Sequence, residues 1–218
     1  MTIGVSVSRI FFPVTTLGPG KRVGIWFQGC SIRCAGCISA DTWTQQPGNM
    51  TIDELAKKIA GPLQHADGVT ISGGEPFEQF QALQALLQTI RPLLKPDGDV
   101  LVYSGYSIDQ LEHRINELSG LIDSLISGPF DAQASQTRPL MGSDNQQIHL
   151  LTELGRQNFS AYDRVRNQED DRIDLTMDAD GTAWMAGIPK RGDLERLRSV
   201  LLENGVSIRT TEHRQDHS

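Results

Sequence analysis

The sequence predicts an α/β fold in which parallel strands alternate with helices, as in an open or partial (β/α) barrel. Three observations predict it. Short runs rich in β-branched residues alternate with segments of helical period up to about residue 128. The segments between strands are long enough to hold the crossover helices that parallel strands require. Two loops of unusual composition, one with three cysteines and one with paired glycines, each follow a predicted strand, where sites lie in such folds.

The first two-thirds of the chain supply most of the regular elements. A turn at Gly18-Pro19-Gly20 separates the first two strands, because proline fixes one backbone dihedral and glycine permits the other. Thr51 and Glu54 form a capping box that begins the first helix. The predicted strands cover residues 3–12, 23–27, 68–72, 99–103 and 121–126, and the predicted helices cover residues 51–60, 77–94 and 108–118.

The last third has a weaker pattern. Residues 131–147 are polar and predict a long loop. Strands are predicted over residues 173–177 and 182–186, on either side of a turn at Asp180-Gly181. A helix over residues 194–202 and a strand over residues 206–209 follow, and the charged tail from Thr210 is expected to fray.

Composition narrows the class of protein. The chain has 218 residues, 27 acidic and 20 basic, for a formal net charge of −7. A chain this acidic is a poor general binder of nucleic acid, whose phosphates favour clustered Lys and Arg. The apolar runs are far shorter than the roughly 20 residues that a bilayer crossing needs, and the N-terminus has no secretion signal. We therefore expect a cytoplasmic protein without a nucleic-acid or membrane partner.

The three cysteines fall in one loop, as Cys30, Cys34 and Cys37. Three thiolates at one point repel each other unless a cation holds them, so the C-x₃-C-x₂-C spacing indicates a metal centre. A structural zinc would need a fourth ligand, and none of the five histidines lies near the loop in sequence. A [4Fe–4S] cluster would use the three thiolates and leave one iron open, which is typical of a catalytic site. Three idle thiols are the remaining alternative.

A second motif, Ser72-Gly73-Gly74-Glu75-Pro76, lies between a predicted strand and a predicted helix. Paired glycines let the backbone approach a ligand closely. A phosphate loop is excluded because no Gly-Lys-Ser/Thr follows. A plain strand-to-helix turn explains the motif equally well when it is considered alone.

Taken together, the two loops resemble those of the radical S-adenosylmethionine enzymes. The resemblance implies that Cys30, Cys34 and Cys37 hold a [4Fe–4S] cluster and that S-adenosylmethionine chelates its open iron. In the family, one electron from the cluster splits a C–S bond and the resulting 5′-deoxyadenosyl radical abstracts a hydrogen atom. By position, the residues that would bind S-adenosylmethionine are Gly73, Gly74 and Glu75 at its amino group and backbone at Gly36 and Ile38 at its nucleoside.

Further matches are similar to the branch of this family that activates glycyl radical enzymes. Gly36 stands where many other members have an aromatic residue, and the stretch from Gly18 to Arg22 precedes Gln28-Gly-Cys30 as in these activases. Arg22 could pair with the carboxylate of S-adenosylmethionine or with an internal Asp. Trp43 could shield the cluster from water. Other segments of similar sequence are residues 41–43, 103–106, 127–130 and 142–146.

The resemblance covers residues 1–150, which implies a radical S-adenosylmethionine core followed by a small α+β extension over residues 151–218, packed on the core. It implies an activase that installs a radical on a partner glycyl radical enzyme, of the anaerobic ribonucleotide reductase kind, with a flavodoxin or ferredoxin-type electron donor. No catalytic side chain beyond the cluster ligands is expected, because the cofactors carry the chemistry.

Two other functions stay open at the level of sequence. The same motifs serve radical enzymes that modify a small molecule or a ribosomal peptide, and the extension could build the pocket for such a substrate. A metal-binding scaffold without enzyme activity is the other alternative.

Overall fold

The computed structural model describes residues 3–177 and 183–205. The predicted turn at Asp180-Gly181, the predicted strand over residues 206–209 and the tail from Thr210 lie outside the described residues. Within the described ranges, no helix has both the length and the apolar character that crossing a bilayer requires.

Ten strands and five α-helices make up the described structure. The strands are β1 (Gly4–Val5), β2 (Val7–Val14), β3 (Arg22–Phe27), β4 (Met50–Thr51), β5 (Gly68–Gly73), β6 (Asp99–Tyr103), β7 (Ser124–Ser127), β8 (Gln147–Leu150), β9 (Ile173–Met177) and β10 (Ala183–Gly187). The helices are α1 (Ile52–His65), α2 (Phe80–Ile90), α3 (Ile108–Glu117), α4 (Glu153–Phe159) and α5 (Asp193–Glu203).

A six-stranded sheet in the order β2-β3-β5-β6-β7-β8 forms the centre of the molecule. Its four central strands, β3, β5, β6 and β7, are parallel, and both edge strands are antiparallel to their neighbours. Two small antiparallel pairs, β1 with β4 and β9 with β10, lie outside it. The fold is therefore mixed α/β with a sheet that is mainly parallel, in agreement with the predicted class.

The main core lies between one face of the sheet and the three crossover helices. Because side chains alternate along a strand, Ile25, Ile71 and Val102 point to this face. They meet the apolar stripes of α1 and α2, which include Leu55 and Leu86. Helix α3 adds Leu111 to the same core. All three crossover helices therefore cover the same face of the sheet, as expected when parallel neighbours follow each other in sequence.

The opposite face of the sheet carries the alternate residues and is covered differently. Trp26 packs there with Phe11 of β2 and with Ala186 of β10. Leu101 and the neighbouring strand residues pack against Phe159 of α4. Segments from the last third of the chain thus cover the face opposite the crossover helices.

Arg22, at the start of β3, is fully buried and pairs with Asp99 of β6 at 2.5 Å. Its guanidinium also donates to Thr70 Oγ1 at 2.6 Å and to the carbonyl oxygens of Pro19 and Val69 at 3.1 and 2.9 Å. Of the two partners considered for Arg22 from the sequence, the structure shows the internal Asp.

Several predicted elements have different bounds in the structure. The strand predicted over residues 3–12 is divided at Ser6, because the Ser6 backbone is hydrogen-bonded to the Gln79 side chain through both its N–H and its C=O. Helix α1 continues to His65 rather than ending near Ala60. The helix predicted over residues 77–94 is α2 with a 3-10 turn on each side, and the strand predicted from residue 121 begins at Ser124.

Three of these elements were not predicted, one of them the two-residue strand β4, which pairs with β1. Strand β8 ends the polar loop and pairs with β7, and α4 follows it directly, capped by Thr152 Oγ1, which accepts a hydrogen bond from the Gly155 N–H. In the last third, β9 matches its predicted bounds, β10 covers residues 183–187, and α5 covers the predicted helix.

Candidate functional site

The site lies at the carboxyl ends of the parallel strands. Strands β3 and β5 end in register, with Trp26 opposite Ser72 and Phe27 opposite Gly73, so the loops that follow them begin side by side. All eight residues that the sequence assigned to a cofactor line one cavity here: Cys30, Cys34, Gly36, Cys37, Ile38, Gly73, Gly74 and Glu75. The structure therefore brings together every predicted site residue.

Backbone hydrogen bonds join the start of the cysteine loop to the residues that follow the last cysteine. The Gly29 and Cys30 N–H groups donate to the carbonyl oxygens of Thr42 and Trp43, at 2.7 and 3.1 Å. Gly36, just before the last cysteine, has a φ of +77°, a conformation that glycine adopts readily. Together these features hold the three free thiols in one short loop around the cavity.

The paired glycines lie directly against the base of the cysteine loop. The Gly74 N–H donates to Phe27 O and the Glu75 N–H donates to Gly29 O, both at 2.8 Å. A Cβ on Gly73 would lie 2.5 Å from the backbone N and O of Phe27, and a Cβ on Gly74 would overlap Gly29 O. Close backbone packing therefore requires glycine at both positions.

Glu75 is 1% exposed and its carboxylate accepts three hydrogen bonds. Oε1 accepts from Phe77 N–H at 3.0 Å and from Ser104 Oγ at 2.9 Å, and Oε2 accepts from Gly105 N–H at 2.7 Å. Burial raises the pKa of Glu75 to about 7, against the lowering effect of these hydrogen bonds. The carboxylate is thus fixed at the cavity wall and changes charge near neutral pH.

Burial also raises the pKa of all three thiols, that of Cys37 to about 11. At neutral pH the thiols are therefore protonated unless a cation takes the place of the protons. The Trp43 indole N–H is buried and meets no acceptor at ordinary hydrogen-bond geometry, but it approaches the Cys37 sulfur closely enough to lower that thiol's pKa. Trp43 also lines the cavity beside the cysteines.

Glu78 and Gln79 position the loops, and sequence reasoning missed both. Glu78 Oε1 accepts from the Ser31 N–H and hydroxyl at 2.9 and 2.6 Å, next to the first cysteine. Gln79 donates to Gln28 O at 3.0 Å, at the entry to the cysteine loop. Their place directly after the Gly-Gly-Glu-Pro motif was the only signal in the sequence.

The far wall of the cavity comes from distant parts of the chain. Phe130, Gln136 and Gln146 belong to the loop that follows β7, and residues 188–191 follow β10. No sequence pattern identified these residues as part of the site, because only the tertiary fold brings them to the cysteines.

The chemistry of the donor set fits an iron–sulfur cluster. Three free thiols line one cavity together with the glycines of the neighbouring loop. Of the histidines, His65 and His113 are exposed and His149 bonds Ser127 Oγ at 2.8 Å, while His213 and His217 lie outside the described residues. Among residues 3–177 and 183–205, no three His, Cys, Asp or Glu side chains are close enough together to hold a single metal ion.

A family model described as a 4Fe-4S single cluster domain matches residues 16–149, well over half of the chain. The chain belongs to this family. The match supports an iron–sulfur cluster, rather than zinc or idle thiols, as the group that this domain binds.

The chain is also similar to proteins named anaerobic ribonucleoside-triphosphate reductase-activating protein. That of Vibrio cholerae is 31% identical over 150 residues, which are 65% of this chain and 96% of the relative. That of Escherichia coli K12 is 29% identical over 149 residues, with the same shares, and that of phage T4 is 26% identical over 140 residues, 62% of this chain and 88% of the relative. These matches confirm the resemblance to the activase branch.

The matches also show where this member of the family differs. The family model ends at residue 149, and relatives that are covered almost completely align with only about two-thirds of this chain. Residues 150–218 lie beyond the family match, and this part of the chain supplies residues 188–191 to the cavity wall.

Proposed function

We propose that the protein is a radical S-adenosylmethionine activase that generates a glycyl radical on a partner enzyme resembling the anaerobic ribonucleotide reductase. The observation that carries the proposal is the convergence of the three cysteines and the Gly-Gly-Glu-Pro turn on one cavity, within a chain similar to activators of that reductase. The sequential order of the parallel strands, with all crossover helices on one face, supports a partial barrel of the radical S-adenosylmethionine type.

In this proposal, Cys30, Cys34 and Cys37 hold a [4Fe–4S] cluster with one open iron. When bound, the cluster and S-adenosylmethionine supply a one-electron reductive cleavage that ends in removal of a hydrogen atom from the substrate. Gly73 and Gly74 let the backbone come close to the ligand, and Gly36 and Ile38 contact its nucleoside from the cysteine loop.

Glu75 would hold the methionine ammonium group of S-adenosylmethionine. Its carboxylate is fixed by two backbone N–H groups and one hydroxyl, so it can face a cation without moving. A bound cation beside Glu75 would lower its pKa from about 7 and keep it ionised. Trp43 would keep water from the cluster at the Cys37 corner.

The partner is inferred from the activity named for the relatives. We expect a glycyl radical enzyme as the substrate and a flavodoxin or ferredoxin-type protein as the electron donor. Both would act on a cytoplasmic protein under anaerobic conditions.

The test is anaerobic reconstitution with iron and sulfide, followed by reduction in the presence of S-adenosylmethionine. We expect iron and sulfide to be bound and 5′-deoxyadenosine to form. Cys30→Ala should abolish formation of 5′-deoxyadenosine. Ser119→Ala, which makes a change of similar size at an exposed position after α3, should leave it unchanged. Formation of 5′-deoxyadenosine by Cys30→Ala at the wild-type rate would refute the proposal.

A second candidate function is modification of a small molecule or a ribosomal peptide by the same chemistry. The contribution of residues 188–191 to the cavity wall favours it, because these residues lie beyond the family match, which ends at residue 149. Addition of an anaerobic ribonucleotide reductase from the same organism separates the two functions. A glycyl radical detected by electron paramagnetic resonance supports the activase, whereas 5′-deoxyadenosine without that radical supports the second function.

A further inference from the structure

Residues 188–191, which we call the strap, run from the end of β10 to the start of α5 and line the same cavity as the three cysteines. The strap belongs to the part of the chain beyond the family match. Its place in the cavity wall is therefore a property of this chain that its similarity to the shorter relatives does not explain.

The strap is tied to the loop that forms the neighbouring wall. Arg191 donates to the carbonyl oxygens of Asp131 and Ala134 in that loop, the first at 3.2 Å. In the opposite direction, the Gln136 side chain donates to Pro189 O at 3.0 Å. These contacts join two walls of the cavity.

The hairpin that leads to the strap is fixed on the core. The Asp174 carboxylate of β9 accepts four hydrogen bonds from the backbone and side chains of Thr15 and Thr16, between 2.6 and 3.1 Å. Thr16 Oγ1 also lies 3.0 Å from Ala186 O of β10, within donating distance. These contacts hold the base of the strap beside the sheet.

Aromatic packing adds a second anchor on the face of the sheet opposite the crossover helices. Trp184 of β10 packs on Phe11 with ring centroids 5.9 Å apart. The Arg9 guanidinium lies between Trp184 and Trp26, at 5.5 and 5.4 Å from the two rings. A segment held by this many specific contacts acts as a fixed wall rather than as a loose tail.

We propose that the strap is a specificity element that narrows the entrance to the cysteines and excludes bulky groups that the shorter relatives would admit. The proposal rests on the proposed function for the identity of the substrate. The effect of the strap on access is independent of the proposed function, because it concerns only the three thiols and the cavity wall beside them.

Access can be measured without any cofactor, because the chain has only three cysteines and all three line the cavity. The reduced, cluster-free protein is treated with N-ethylmaleimide or with a polyethylene-glycol maleimide, and the rate of modification is followed by mass spectrometry. The measured quantity is the ratio of the rate with the bulky reagent to the rate with the small reagent.

Two variants loosen the strap from different sides. Arg191→Ala removes the tie to the loop over residues 131–134, and Asp174→Ala removes the anchor of the hairpin at a position outside the cavity. Each change removes charge-assisted hydrogen bonds, so we expect the ratio to rise by about tenfold. Arg196→Ala is the matched control, since Arg196 lies in α5 with a 78% exposed side chain and does not line the cavity.

A rise in the ratio for both loosened variants, with Arg196→Ala unchanged, supports the strap as a size filter. An unchanged ratio in Arg191→Ala overturns the proposal, and so does an equal acceleration with both reagents, because that would indicate general loosening of the cysteine loop. Circular dichroism checks whether each variant is folded. If Asp174→Ala does not fold, Arg191→Ala alone decides the outcome.

The reconstituted protein supplies an independent readout. Bleaching of the cluster by a large chelator should be faster in Arg191→Ala than in wild type, and bleaching by a small chelator should not. If no 5′-deoxyadenosine forms while the access ratio changes as expected, the proposed function fails and the strap proposal stands. If 5′-deoxyadenosine forms and the ratio does not change, the reverse holds.

Discussion

Glu75→Gln tests whether the buried carboxylate at the cavity wall ionises near neutral pH. The change keeps the size of the side chain and removes its charge. A glutamine oxygen at the Oε1 position keeps the hydrogen bonds from Phe77 and Ser104, but the amide NH₂ then faces the Gly105 N–H and that hydrogen bond is lost. Loss of the acceptor for one buried N–H costs roughly 1–3 kcal/mol at every pH.

The charge of Glu75 has an effect in the other direction, because it makes the wild-type protein less stable as the pH rises. The pKa of Glu75 is about 7 in the folded protein against 4.5 for an ordinary glutamate, so the folded state holds a proton that the unfolded state releases between these values. The stability from this group is fully present below pH 4.5 and is lost as the pH rises through 7. The loss is about 3 kcal/mol, since each pKa unit corresponds to about 1.4 kcal/mol. Glutamine carries no charge, so the stability of Glu75→Gln does not fall in this way as the pH rises.

We therefore expect Glu75→Gln to be less stable than wild type at pH 5 and as stable or more stable at pH 8. The assay is urea unfolding of the reduced, cluster-free protein, followed by tryptophan fluorescence at both pH values. Lowering of the His149 pKa by burial also affects stability in this range, but it is common to both proteins and cancels in the difference. Glu54→Gln is the control, because hydrogen bonds lower the pKa of Glu54 and it stays ionised from pH 5 to 8. A difference between Glu75→Gln and wild type that is the same at both pH values would refute the reasoning.

Two further predictions concern packing below the site. Gly74→Ala should prevent iron and sulfide from being bound, because its Cβ would overlap Gly29 O, whereas the exposed control Ser119→Ala should bind both normally. Metal analysis checks this, and normal cluster loading in Gly74→Ala would contradict it. Arg22→Met should lower the free energy of unfolding by about 3–5 kcal/mol, because it leaves the side chain of Asp99 buried without its ion-pair partner. Urea unfolding measures this, and a loss below about 1 kcal/mol, as for an exposed ion pair, would contradict it.

The sequence predicts those parts of the fold that depend on local signals. Strand β6 has its predicted bounds because a run of β-branched and apolar residues lies between turn residues. The capping box at Thr51 and Glu54 begins α1 where predicted. Helix α4 was missed because it is seven residues long, contains Gly155 and buries only that residue and Phe159, which is too few for a periodic stripe.

The candidate site also has one part that the sequence predicts and one part that it does not. The eight predicted residues come together because the two loops that carry them follow neighbouring strands that end in register, and strand order follows from the alternation of elements. The strap joins them through contacts between residues more than 50 positions apart, such as Gln136 with Pro189. Such contacts leave no periodic or compositional signal, so sequence reasoning could not place the strap in the cavity wall.

The distribution of helices explains why the last third of the chain reaches the site at all. All three crossover helices cover one face of the sheet, so Phe11 and Trp26 on the other face must be buried by something else. The hairpin of β9 and β10 provides part of that cover through Trp184 and Ala186, and the strap follows it to the cavity. Stability and access to the cysteines therefore depend on the same segment. Removal of the whole extension would expose apolar surface and change access together, and only single substitutions such as Arg191→Ala can separate the two effects.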